Sequence, residues 1–154
     1  MYLCYKDIKL NRMLDYLKYW RVIRYFIKSK YGLSQAELEM LLFLRSEKYF
    51  SKDSFDEYNE LISWDKNRFE KLRSEGWIDV FRKKEANRRV VYQLSYKAQR
   101  MLTTLYKKLE GEEIPESKSS NPLFLRNISY TDKVYRNYIK KLNKFIRQQR
   151  HPSQ

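Results

Sequence analysis

Between Ser63 and Ser95 an amphipathic segment, WDKNRFEKLRSE, stops at Gly76 and gives way to two β-rich runs, WIDVF and RRVVYQL, separated by the basic, turn-forming RKKEAN. Glycine tolerates the left-handed conformation just past a helix C-terminus. The two runs alternate as half-buried strands do, with Val90, Tyr92 and Leu94 on one face of the second and Val91 and Gln93 on the other. The order predicted is therefore helix, strand, charged hairpin, strand. On a helical wheel Phe69 and Leu72 face a core, Asn67, Lys71 and Ser74 lie opposite, and Trp64, Lys66 and Arg68 fall near the edges. A short helix with a polar outer face followed by a basic hairpin is the minimal equipment of a winged helix-turn-helix, whose helix enters the DNA major groove while the hairpin follows the backbone.

The flanks read as helices. Leu10, Met13, Leu14, Leu17, Trp20, Ile23 and Ile27 recur at three- and four-residue steps, which predicts a long helix over 6–29. Tyr16, Tyr19 and Phe26 widen its apolar arc, either to serve a second neighbour on a partner subunit or simply as exposed tyrosines. Ser34, with Glu37 three residues on, makes a capping box for a helix whose buried stripe is Leu38, Leu41 and Leu42. Ser51 or Ser54 caps a third helix over 55–61, with Phe55, Tyr58 and Ile62 inward. Ser63 caps the recognition helix over 64–75, and Asp65 in its first turn suits the helix dipole. Ser95 opens a further helix, with Ala98, Met101, Leu102, Leu105 and Leu109 on one stripe.

Residues 111–122, GEEIPESKSSNP, are polar, contain two prolines and predict a flexible connector. A last helix over 131–148 places Tyr135, Tyr138, Leu142 and Phe145 at the spacing of a helix–helix seam, with Lys133, Arg136, Lys140, Lys141, Lys144 and Arg147 over much of the remainder. The expected organisation is a core or dimerisation helix over 1–32, a winged helix-turn-helix over 33–110, a linker over 111–122 and a C-terminal, dimerisation-competent helix over 123–154. The fold class is mainly α with a small β-hairpin wing, a winged helix-turn-helix with long N- and C-terminal helices.

With these elements in place, residues 33–109 resemble the MarR family of winged-helix transcriptional regulators. The resembling pieces are LSQAELEMLLFL opening the second helix, KLRSEGWI closing the recognition helix and RRVVYQLSYKA leaving the wing. Leu72, Gly76 and Ile78 match the family's recognition-helix ending, and Arg88, Leu94 and Ser95 the wing arginine and following helix start. The chain departs from the pattern at Ala86, where the wing usually has Asp, at Ala98, where Gly is usual, and in the 111–122 segment. The resemblance covers about half the chain. It implies a homodimer with interlocked terminal helices, two reading heads on a pseudo-palindromic duplex, and a small aromatic effector for which Tyr16, Tyr19, Trp20 and Phe26 are candidate walls. It also draws attention to Cys4, flanked by Tyr2 and Tyr5, although no Arg or His cluster adjoins it to lower its thiol pKa.

The 33 Lys and Arg outnumber the 19 Asp and Glu, and the resulting +14 favours a polyanionic partner, nucleic acid ahead of an anionic membrane surface. The charge is uneven: +6 over 1–31, −4 over 32–62, +4 over 63–95 and +8 over 96–154. The acidic patch thus falls on scaffold helices rather than on the reading head. No run approaches the roughly 18 apolar residues of a membrane span, and MYLCYKDIKL lacks the basic start and apolar core of a signal peptide, so a cytoplasmic location off the membrane is expected. One Cys and one His, His151, cannot assemble a four-ligand zinc site, and there is no Gly-rich phosphate loop. Neither a cofactor, a metal nor an enzymatic activity is expected.

Phosphate contacts are expected from Lys66, Arg68 and Lys71 on the helix and from Arg82, Lys83, Lys84, Arg88 and Arg89 in and around the 82–89 wing. For base reading the side chains with suitable edge chemistry are Asn67, towards adenine, and Arg68 or Lys71, towards guanine, while Trp64 either meets a thymine methyl or packs. The function expected is sequence-specific binding of double-stranded DNA by a homodimeric transcriptional regulator. Two other classes stay open. One is a winged helix reused as a structural or protein-interaction module of a larger assembly, cellular or viral, for which Glu70 and Glu75 on the outer helix face speak. The other is DNA binding without sequence choice.

Overall fold

The computed structural model describes residues 19–62 and 66–150, and the chain divides into two compact units, Leu33–Thr103 and Met1–Gly32 with Thr104–Gln154. Helices α1 (Trp20–Tyr31), α2 (Gln35–Glu47), α3 (Lys52–Ile62), α4 (Lys66–Ser74), α5 (Tyr96–Leu109) and α6 (Tyr130–Arg150) are interleaved with strands β1 (Tyr49–Phe50), β2 (Ile78–Arg82) and β3 (Val91–Leu94). The fold is mainly helical with a small antiparallel sheet. Of the helix expected over 6–29, the part before Tyr19 lies outside the described residues, as do Cys4, Tyr16, Ser63, Trp64, Asp65 and His151.

The Leu33–Thr103 unit begins at the capping box. The Glu37 amide donates to Ser34 Oγ at 3.2 Å and the Ser34 amide to Glu37 Oε2 at 3.1 Å, which satisfies two of the orphan donors of the α2 N-terminus. Leu38, Met40, Leu41 and Leu44 are buried, whereas Leu42, expected in that stripe, is half-buried. Lys48, at φ 63°, turns the chain out of α2 into β1. Ser51 opens α3, its hydroxyl accepting from the Ser54 amide. On the sheet's inner side Phe50, Phe55, Phe69 and Tyr92 interlock, with ring centroids 4.5 Å apart for Phe55 and Phe69 and 5.1 Å for Phe69 and Tyr92.

After α4, Gly76 takes φ 83°, and the Trp77 amide reaches back to the Leu72 carbonyl at 2.9 Å. A Cβ would meet nothing there, so it is the left-handed backbone that demands glycine. The strand order is β1-β3-β2, with Tyr49 opposite Gln93, Phe50 opposite Tyr92, and Ile78 opposite Leu94. The register slips between Val80 and Arg82, so Phe81 is the extra residue of a bulge. Strand β1 was not expected; it is two residues long and pairs with residues far along the chain. The second hairpin strand is shorter than the run RRVVYQL implies.

The other unit contains α1, the C-terminal part of α5, a 3₁₀ turn at Pro122–Phe124 and α6. Residues 111–122, expected as a flexible linker, are instead pinned along their length. The buried Asn143 carboxamide donates to the Ile114 carbonyl at 2.8 Å and accepts from the Ile114 amide at 2.9 Å. Asn121, also buried, donates to the Pro115 carbonyl and accepts from the Leu123 amide. Arg147 bonds Glu113 and Glu116, and Arg150 the Gly111 carbonyl. The two compact units meet along the chain at Thr103, inside α5.

On α6 the buried face is Ile139, Leu142, Asn143 and Ile146, rotated from the seam expected at Tyr135, Tyr138, Leu142 and Phe145. Tyr135 stacks on Tyr25 at 3.7 Å and Phe145 lies 6.1 Å from Tyr19, while Tyr138 is exposed. The Tyr25 hydroxyl donates to Asp132 Oδ1 at 2.5 Å. That bond, with burial and the carboxylate charge behind it, pushes the phenol up to about 12.

Candidate nucleic-acid interface

Helix α4 is anchored by Phe69 and Leu72, both buried, and this fixes which side chains face water. Lys66, Asn67, Arg68, Lys71 and Ser74 are all exposed, as the helical projection predicts. Beyond β2 the chain runs through Arg82, Lys83 and Lys84 to a tight turn in which Glu85 and Arg88 exchange backbone hydrogen bonds of 3.2 and 2.9 Å across Ala86 and Asn87. Every residue from Arg82 to Arg89 is exposed.

Helix and hairpin flank the same piece of scaffold. Lys66 and Glu70 line a cleft of about 300 Å³ together with Lys52, Asp53 and Asp56. Lys84 and Arg89 line one of about 290 Å³ with Ser51, Lys52 and Asp53. The first turn of α3 belongs to both clefts, with the start of α4 lining one and the base of the hairpin the other. Lys52 was not singled out from the sequence, and no local pattern marks it.

Internal ion pairs divide the expected cations into two groups. Lys66 pairs with Asp56 at 3.6 Å, Lys71 with Glu37 at 2.8 Å and Glu75 at 3.9 Å, and Arg89 with Asp53. Among the described residues, no carboxylate lies within ion-pairing distance of Arg68, Arg82, Lys83, Lys84 or Arg88. Glu70, whose charge would oppose a duplex, is engaged by Lys52 at 2.8 Å and Arg73 at 3.9 Å. Exposed pairs such as Lys66 with Asp56 are weak enough for a phosphate to displace.

Lys71 is different. Its partner Glu37 is buried, and withdrawing the ammonium would leave that carboxylate uncompensated. Burial alone pushes the Glu37 carboxyl up, but the Lys71 hydrogen bond, the Ser34 amide and the charges of Lys71 and Arg68 together hold it below the usual carboxylate range. Lys71 thus holds α4 against the start of α2.

A pH signature follows. A carboxylate with a depressed folded pKa adds stability that is present above its unfolded pKa and lost as pH falls through the folded one. Denaturant melts of the wild type and Glu37→Gln should differ most near neutrality and converge as pH falls through the depressed pKa of the folded Glu37 carboxyl. Curves that stay parallel throughout would remove the Lys71 pairing as the cause.

Of the side chains suggested as effector walls, Phe26 is buried and Tyr19 packs near Phe145. Among the described residues no helix is long and apolar enough to cross a membrane. No protein-family model matches the chain, and neither curated proteins nor solved structures give a significant match.

Proposed function

We propose that this chain is a winged helix-turn-helix protein that binds double-stranded DNA, with α4 in the major groove and the 82–89 hairpin on the flanking backbone. It acts as a MarR-like homodimeric transcriptional regulator that occupies promoter sites. The observation that carries this reading is the set of cations without carboxylate partners, Arg68 on α4 with Arg82, Lys83, Lys84 and Arg88 on the hairpin, on two elements that flank one turn of α3. The element order α2-β1-α3-α4-β2-β3, with β3 central in the sheet, supports it as the order expected of a winged helix. Asn67 complements adenine.

The commitment of Lys71 to Glu37 favours a second reading in one respect. One base-reading side chain on α4, Asn67, makes a short code, and a protein so equipped binds duplex with limited sequence choice. A gel shift with random-sequence duplex tests the core of the proposal. Arg68→Glu combined with Arg88→Glu is expected to weaken binding at least about tenfold, because two phosphate contacts become repulsions. Equal mobility shifts for variant and wild type would hand the fold to the interaction-module reading. Duplex selection then separates the two DNA readings, since binding without sequence choice returns no consensus.

A further inference from the structure

The sheet has a second face. Phe50 and Tyr92 turn their rings towards Phe69 of α4, so Tyr49 and Gln93, the residues next to them in β1 and β3, project from the opposite side. Phe81 joins them there. The bulge that makes it the unpaired residue of β2 brings its ring to 4.5 Å from that of Tyr49, and each side chain is 53% exposed. Paired aromatic rings left open to water on a sheet surface bury little and stabilise little, so their exposure calls for an occupant.

Beside the rings runs an open groove of about 340 Å³, at the small end of ligand-sized clefts, floored by Leu44 and Leu94 and edged by Arg45, Lys48, Gln93 and Gln99. Lys48 reaches this rim from a positive-φ backbone, φ 63° and ψ −64°, a γ-turn-like conformation that costs a lysine strain. Arg45 and Lys48 stand beside the rings, and the one acidic residue paired across from Gln93 is Asp79. Cations therefore outnumber anions around the rings.

We infer that this outer face is a platform for single-stranded nucleic acid. Bases stack on Tyr49 and Phe81, the Gln93 carboxamide meets base edges, and Arg45 and Lys48 follow the phosphates. Every base has a π-face, so such a platform tolerates sequence, and its cations complement the strand's charge. An acidic peptide shares the charge but makes no use of two open rings. The platform lies on the side of the sheet away from α4, and the inference stands independently of duplex binding.

Fluorescence anisotropy with a labelled oligothymidine tests it. Tyr49→Ala with Phe81→Ala should weaken binding about 100-fold, the loss of two base-stacking contacts. Tyr49→Phe with Phe81→Tyr should retain wild-type affinity, and duplex binding should not change in either variant. Arg68→Glu with Arg88→Glu should give the converse, weakened duplex binding and intact oligothymidine binding, so failure of one reading is separable from failure of the other. Absence of oligothymidine binding by the wild type, equal affinity without the rings, or equally effective competition by polyglutamate would overturn the platform. Should the double alanine variant fail to fold by circular dichroism, iodouracil-substituted oligonucleotides can be photo-cross-linked to the wild type. Cross-links at Tyr49 and Phe81 support the inference, and cross-links confined to other residues defeat it.

Discussion

Asn143→Ala is expected to cost about 2–5 kcal/mol of stability, read as a fall in melting temperature of roughly 5–15 °C. The carboxamide sits on the buried face of α6 and exchanges two hydrogen bonds with one peptide unit, the amide and carbonyl of Ile114. Alanine removes both partners and leaves both backbone groups in a place water does not reach, and each orphaned group carries its own desolvation penalty. Asn143→Asp should also destabilise, since a carboxylate still accepts from the amide but faces the carbonyl with no donor. Calorimetry gives the magnitude, and hydrogen exchange locates it, with the Ile114 amide losing protection first. A melting temperature indistinguishable from wild type would mean that residues 111–122 behave as the loose connector their composition implies.

That segment shows where sequence reading stops. GEEIPESKSSNP has the polar, proline-containing make-up of a linker, and its order comes from Asn143, Arg147 and Arg150, about 30 residues further on. No local pattern announces such partners. The same holds for β1, whose ladder to Gln93 and Tyr92 is wholly non-local, and for Lys71, whose exposed position on α4 was correctly placed while its partner Glu37 on α2 was not foreseen. What could be read was what local physics decides: the capping box at Ser34 and Glu37, the glycine stop at Gly76, the anchors Phe69 and Leu72, and the hairpin between two β-rich runs.

The seam on α6 falls between these cases. Helical periodicity located an apolar arc, but the arc is wide, and side chains from other elements select which part is covered. Asn143 enters the buried face because it bonds Ile114, while Tyr138 stays out. A polar residue on an apolar stripe therefore marked the place where another segment of chain docks, a signal present in the sequence that only the partner's position explains.

Duplex binding should weaken about 500-fold per protomer when salt rises from about 50 to about 200 mM, with log K falling against log salt at a slope near −4.5. The slope counts phosphates neutralised at roughly 0.9 per contact, and Arg68, Arg82, Lys83, Lys84 and Arg88 supply five contacts at no internal expense. Were all eight expected cations to act alike, Lys66, Lys71 and Arg89 included, the slope would approach about −7 and the loss about 20,000-fold. The ion pairs argue for the smaller figure. Lys66 and Arg89 rest on their aspartates, and while they stay there they neutralise no phosphate and release no counterion from the duplex. Two protomers on two half-sites would double the slope without changing this ratio. Titrations at several salt concentrations, run beside Arg68→Glu with Arg88→Glu, should show the magnitude per protomer dropping towards about 2.7 as two contacts are lost. A slope near zero in the wild type would place these five cations off the phosphate backbone and leave the basic hairpin without a polyanionic partner.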